Sequence, residues 1–532
     1  VIDRKGIIAR LSPWLPLAVG AGSGVIVLIH LQPIIAALYA NGDVASAPVI
    51  GSLISHAPAG RTVLLGQYPW YESLWLMQLT RSLPGHRAIW EAAPIAFTAG
   101  GYALLVGTAW WCFGRTRALL LAALLLSTSL ELRMVQFTLN FHGEVVVHAC
   151  VLAASLAVVV GAERLRVSVV TALAVLVGLF TALGVASDQT MFIGAILPMV
   201  LTGLVLWVRS ERRAALFAIA VCVIAVFAGE LAAVAMRNDR VIAAPYALSF
   251  VALGRLLPNL EIFASSFANL AGGDFFGAHA TGTGYVTLIA GLLAIAGLVA
   301  VVRWLWRRGP ALWTATPGES PRTAAGTAYI LFWALVLVCV TGGFLLTSTP
   351  IDASSARYIV ADFVAVAALL TCLAPIRGPV AHGALVVAIT VFSALALYSN
   401  VDNVTGEPVA YPTGRTIAEV QRYLLEHHAT RGYAPYLDAA DITWATHLQI
   451  HAYPLERCFT PLGVCPMNLH QISSWYQPTG SHATFLITDL AQVGNIPIPD
   501  PFGTPIAQAS FSNVNVYIYS HDVATAFQAG AT

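Results

Sequence analysis

The sequence predicts an all-α polytopic membrane bundle of about eleven spanning helices, followed by a small α/β domain of soluble character. Three observations lead there. The 532 residues are 58% hydrophobic and 10% charged, whereas soluble chains carry roughly a quarter charged residues. Mean hydropathy is +0.76, more apolar surface than a water-soluble core can hide. The apolar runs then stop near Asn400, and the remaining residues have the mixed composition of a soluble fold.

Runs of about 18–22 apolar residues are long enough to cross a bilayer as helices. They fall at 14–38, 91–113, 117–136, 144–162, 167–186, 190–208, 213–236, 284–303, 326–347, 359–375 and 379–399. Glu131 and Arg133 interrupt the third. The first is too long for a cleavable signal and lacks a small-residue cleavage site, so it is expected to remain as a span.

Sidedness follows from arginine bias. With the N-terminus in the cytoplasm, the inner loops hold Arg4, Lys5, Arg10, Arg115, Arg117, Arg164, Arg166, Arg209, Arg212, Arg213, Arg303, Arg307, Arg308, Arg322 and Arg377. Residues 1–399 are then a transmembrane domain of a multi-pass plasma (inner) membrane protein, with long outer loops at 39–90 and 237–283. Residues 400–532 form the extracytoplasmic α/β domain. A net charge of +1 gives no reason to expect a nucleic-acid partner.

Within the C-terminal domain, 416–425 has helical periodicity, and 484–488 and 514–519 read as strands. Cys458 and Cys465 are its only cysteines, and an exported domain favours a disulfide between them. In the first long loop, residues 70–77 alternate aromatic and aliphatic with polar side chains at helical spacing. They suit a helix in the headgroup plane or one packed on its own protein.

Ionisable groups near the hydrocarbon are costly, so those collected at the outer face are candidates for function. Asp43 follows Asn41-Gly42 at the end of the first span and suits a general base; a turn with a capping Asp is the plainer reading. Trp70 and Tyr71 are candidate sugar-stacking rings, with Glu72, His86 and Arg87 as polar partners. Glu144 and His148 share a helix face at i,i+4 with His142 close by. That set suits a hydroxylated substrate, a divalent metal such as Mg or Mn, or a structural cluster. Asp188 sits at the outer end of the fifth span and Asp274 in the second long loop; both suit a bundle-lining site, and either is equally a helix-end cap. Arg357, beside Tyr358, has the planar fork that matches a lipid phosphate; pairing with Asp352 or Asp362 is the alternative.

The pattern resembles the C superfamily of glycosyltransferases (GT-C), multi-spanning enzymes that use polyprenyl-phosphate sugars. It is carried by Asp43 just after the first span, the interfacial 70–79 segment, and the Arg357-Tyr358 pair entering a late span. The resemblance implies an inverting transfer of a sugar from a polyprenyl-phosphate donor to an extracytoplasmic cell-envelope glycan or glycolipid. Asp43 would deprotonate the acceptor hydroxyl, and lipid phosphate would leave. Many members carry two adjacent acids in this loop; here Val44 follows Asp43, so a second acid would come from Glu72, Glu144 or Asp188. The other class that fits is a transporter or flippase of lipid-linked saccharides, for which inverted repeats would be expected. No repeat is evident in the sequence.

Overall fold

The computed structural model describes residues 14–39, 42–54, 62–66, 68–138, 142–162, 164–236, 241–243, 249–273, 282–314, 319–373, 379–405, 412–459, 462–479, 483–493 and 502–529. Asp274 lies outside these. The chain is mostly helical, with a strand-containing C-terminal region.

Over its described residues every apolar run is mostly helical. Among the described residues, eight helices are long and apolar enough to cross a membrane: His86–Phe113, Gly143–Gly161, Val167–Ser187, Arg212–Met236, Gly284–Leu312, Pro321–Leu346, Ser355–Cys372 and Gly383–Val401. The other three runs are broken or shorter. The first ends at Ile29, and a second helix starts at Leu31. The sixth joins a π-turn at Phe192–Ile196 to the Leu197–Val208 helix.

The third divides into Arg115–Leu126 and Leu130–Gln136, and the break has a physical account. Breaking a helix inside an apolar bundle strands backbone carbonyls and amides that lipid cannot satisfy. Ser129 caps the second piece by accepting from the Leu132 amide at 3.1 Å. Arg133, 6% exposed, turns its guanidinium back onto the stranded carbonyls of Leu126 and Thr128, at 2.8 and 3.1 Å. Asn400 donates to the Thr128 carbonyl and to Ser23 as well, at 3.2 and 2.8 Å. The arginine that interrupts this apolar run in the sequence therefore repairs its break.

Two compact units divide the chain. The first comprises Val1–His30, Glu91–Ala232 and Ala247–Gly406; the second comprises Leu31–Trp90, Ala233–Tyr246 and Glu407–Thr532. The first unit is the helical bundle, with one continuous apolar core through its spanning helices.

Among its described residues the second unit carries two sheets. One contains β1 (Val63–Leu65), β2 (Val241–Ala243) and β6 (Gln471–Ile472), in the order β2-β1-β6. The other contains β3 (Arg431–Pro435), β4 (His451–Arg457), β5 (Val464–Pro466), β7 (Thr484–Asp489), β8 (Ala507–Phe511) and β9 (Val514–Tyr519). Its order is β5-β4-β3-β7-β9-β8. β3 is parallel to β4 and to β7, and the other pairs are antiparallel. The Pro412–Glu426 helix supplies Ile417, Val420 and Leu424 to this sheet's core. Cys458 and Cys465 form a disulfide across the end of the β4–β5 hairpin.

Candidate functional site

The first unit brings His142, Asp188 and Tyr358 together. His142 ends the approach to the Gly143–Gly161 helix, Asp188 follows the Val167–Ser187 helix, and Tyr358 lies in the 3-10 turn Ala353–Ile359. His142 adopts a left-handed backbone, with φ 65°, a conformation that costs energy for a residue with a Cβ but is more often seen for His than for most. That turn aims its ring inward. Its Nδ1 donates to the Asp188 carboxylate at 2.5 Å, and the Thr190 hydroxyl lies 3.3 Å from the same nitrogen. Asp188 also accepts from the Thr190 amide at 2.8 Å. The His142 and Tyr358 rings are 4.7 Å apart, and the Arg357 guanidinium lies 5.3 Å from the Tyr358 ring centre.

Both members of the pair are buried, His142 at 5% and Asp188 at 2% exposure. Burial alone pushes the Asp188 carboxyl up, but His142's charge and hydrogen bond, with Thr190's bonds, outweigh it and hold the carboxyl below its usual range. A carboxylate bonded to one ring nitrogen fixes the imidazole's orientation and tautomer, the arrangement in which histidine serves as an oriented proton acceptor.

Glu144 lies in the first turn of the Gly143–Gly161 helix and is 5% exposed, where the helix dipole favours an acid. His148, one turn on, is 1% exposed and packs on Phe180, ring centres 4.5 Å apart. A Cβ at Gly184 would come within 2.7 Å of the His148 ring, so that packing needs a glycine there. Among the described residues, no group of three or more His, Cys, Asp or Glu side chains is arranged to hold a metal ion.

The remaining candidates belong to the second unit. Asp43 is in the first turn of the Gly42–Leu53 helix. Gly42 begins that helix, and its requirement is close approach: a Cβ there would fall 2.4 Å from the Leu437 Cα. Leu437 is in the first turn of the Tyr436–Ala445 helix, so Asp43 stands where two helix starts pack together. Glu72 is half-buried in the first turn of the Tyr71–Thr80 helix. That helix packs on its own protein: Gln78 donates to the Gly51 carbonyl at 2.6 Å, and Tyr71, Leu74 and Met77 are buried. Trp70 stacks face to face on His470, ring centres 4.3 Å apart, so one ring face is occupied. His86 is half-buried at the start of its helix. Next to it, Arg87 donates to the Trp444 carbonyl at 2.9 Å and lies over the Trp444 ring.

Two features carried no signal in the sequence reading. Thr190 completes the shell around His142 and Asp188, and its only trace is the spacing Asp188-Gln189-Thr190 of a turn whose first side chain accepts from an amide two residues on. In the second unit, Asp438, Asp441 and Asp489 are buried together. Gln492 bridges two of them, donating to Asp438 at 2.9 Å and Asp489 at 3.0 Å. Burial, then the neighbouring Asp489, pushes the Asp438 carboxyl up to about 7. Burial, then Asp438, pushes Asp441 up to about 8.

No known family model matches this sequence, and no curated protein matches it.

Proposed function

We propose that this protein is an inverting glycosyltransferase of GT-C type, moving a sugar from a polyprenyl-phosphate donor to an extracytoplasmic envelope glycan or glycolipid. The observation that carries the reading is the buried His142–Asp188 pair beside Arg357 and Tyr358. It lies where three of the apolar helices begin or end. In this proposal all eleven apolar runs span, the N-terminus is cytoplasmic, and the C-terminal domain is outside. The arginines after Gly161 and before Val167 belong to the opposite helix ends from His142 and Asp188, which favours an outward-facing site.

Sugar hydroxyls are weak nucleophiles near neutral pH, so transfer calls for a base within hydrogen-bond reach. His142 takes the hydroxyl proton, and Asp188 stabilises the imidazolium that results. The acceptor oxygen forms its bond to the anomeric carbon from the face opposite the leaving group. The carbon–oxygen bond to lipid phosphate breaks, its electron pair leaving with the phosphate. Arg357 offsets the phosphate charge with its fork of donors. The resemblance in sequence assigns the base to Asp43 instead, and mutation separates the two assignments.

One observation favours a transporter of lipid-linked saccharides. Asp362 is fully buried inside an apolar helix, held by the Thr341 hydroxyl at 2.9 Å, and acids so placed serve as proton relays in transporters. The deciding experiment supplies a radiolabelled polyprenyl phosphosugar to the purified protein in liposomes with membrane acceptors. Label appearing in acceptor supports transfer. Label crossing the bilayer still attached to lipid, with none transferred, overturns it.

A further inference from the structure

A cavity of about 240 Å³ opens on the side of the first unit. Its walls come from spanning helices: Leu293–Gly297 of Gly284–Leu312, Phe363–Leu370 of Ser355–Cys372, and Leu385–Phe392 of Gly383–Val401. Leu124 and Phe267 complete it, and Phe267 packs on Phe363 with ring centres 5.8 Å apart. All the lining side chains are apolar or glycine. Ala296 and Ala388 are both lining and exposed, so the cavity opens sideways between their two helices. Small residues make the space: a Cβ at Gly297 would have only the Leu370 side chain near it, at 3.6 Å.

Water does not occupy such a space, because it needs two to four polar partners. Left empty, its walls would lose dispersion contacts. Ala296 and Ala388 both belong to helices apolar and long enough to span, so hydrocarbon is the medium expected outside them. We propose that this cavity is a binding site for one acyl chain of a bilayer phospholipid. The lining stretch of each of the two longer walls covers seven residue steps, about 10 Å along a helix, a third of a hydrocarbon core of about 30 Å. That depth suits a segment of one linear chain lodged from the surrounding leaflet. The inference does not depend on the transferase reading, since a transporter would hold such a lipid equally well.

The test uses the full chain in liposomes made with a phospholipid carrying a photoreactive group in mid-acyl chain. Irradiation should label peptides 293–297, 363–370 and 385–392 at least about fivefold more than the exposed face around Phe227, Leu231 and Val234. Labelling spread evenly over all exposed apolar faces overturns the proposal. A second arm fills the space with Gly297→Leu or Ala388→Phe and weighs the lipid that survives detergent purification by native mass spectrometry. Filled variants with an unchanged melting temperature should lose the phospholipid adduct that the parent retains. Equal retention, no phospholipid on the parent, or an isoprenoid chain in its place overturns it.

Discussion

Asp188 in the first unit and Asp438 in the second are almost equally buried, at 2% and 1% exposure, and their carboxyls are pushed in opposite directions. Asp188 faces an imidazole at 2.5 Å and a backbone amide at 2.8 Å, and these outweigh the cost of burial. Asp438 shares Gln492 with a second acid, and a third acid, Asp441, lies one turn along its helix. One amide shared between two carboxylates offsets less of the charge cost than an imidazole and a backbone N–H that both donate to one. What decides the state of a buried acid here is therefore its partner. The first arrangement favours an ionised Asp188 beside the ring, and the second makes Asp438 and Asp441 hold their protons more tightly.

The largest expected effect comes from breaking the first pair. Asp188→Asn keeps the shape and lets His142 turn or change tautomer, so transfer should fall about 10²–10⁴-fold, the usual contribution of a general base. His142→Ala should fall as far. Sugar release from a radiolabelled donor reads both. If Asp43→Asn abolishes transfer while these variants keep it, the base is Asp43, and the His142–Asp188 pair is structural.

The second unit should show the opposite dependence on pH. An acid whose folded carboxyl is raised binds its proton more tightly in the folded state, so stability falls as pH rises above the unfolded value of about 4. For Asp438 and Asp441 the loss runs on through about 7 and 8. At about 1.4 kcal/mol per pH unit it should amount to on the order of 5 kcal/mol for each acid. Asp188, held low, loses its contribution in the other direction, on acidification. Hydrogen exchange of β7 against β3 and β9 across pH 4–8 follows the second unit alone. Asp441→Asn should flatten the slope. A slope unchanged in that variant would mean that the acid cluster is ionised in the folded state and the comparison fails.

Arg357 comes next in size. Its charge is assigned to the donor phosphate, so Arg357→Ala should weaken donor binding by about 1.5–3 kcal/mol, the range for hydrogen bonds to charged groups. Donor affinity unchanged in a folded variant would return Arg357 to packing over Tyr358.

Much of the bundle was legible because apolar runs of spanning length have one solution in lipid. The helix read at 416–425 and the strands β7 and β9 were legible for another reason, their period. The grouping of the second unit was hidden. β1 and β2 are three residues each and pair in parallel, Val63 with Val241, across some 180 positions of sequence. Three residues carry no usable period, so two long loops read as separate insertions. The site was half legible: His142, Asp188, Arg357 and Tyr358 stood out as costly groups at helix ends, but nothing in sequence pairs residue 142 with 188. Gly42 shows the same limit, since a glycine needed for close approach to Leu437 reads in sequence as a turn.

The smallest predicted effect separates the Thr190 hydroxyl from the Thr190 amide at the His142–Asp188 pair. The Thr190 amide donates to Oδ1 whatever the side chain is, so Thr190→Val retains that bond at 2.8 Å. What it removes is the hydroxyl, 3.3 Å from His142 Nδ1, a long contact beside the 2.5 Å bond to Asp188. An ordinary hydrogen bond is worth about 0.5–1.5 kcal/mol net, so transfer should fall no more than about tenfold. Asp188→Asn, measured alongside, should fall at least ten times further. If Thr190→Val matches Asp188→Asn, the hydroxyl and not the carboxylate orients the ring. The His142–Asp188 pair would then be no more than a way of burying an acid, and the contrast with the Asp438 cluster would lose its catalytic meaning.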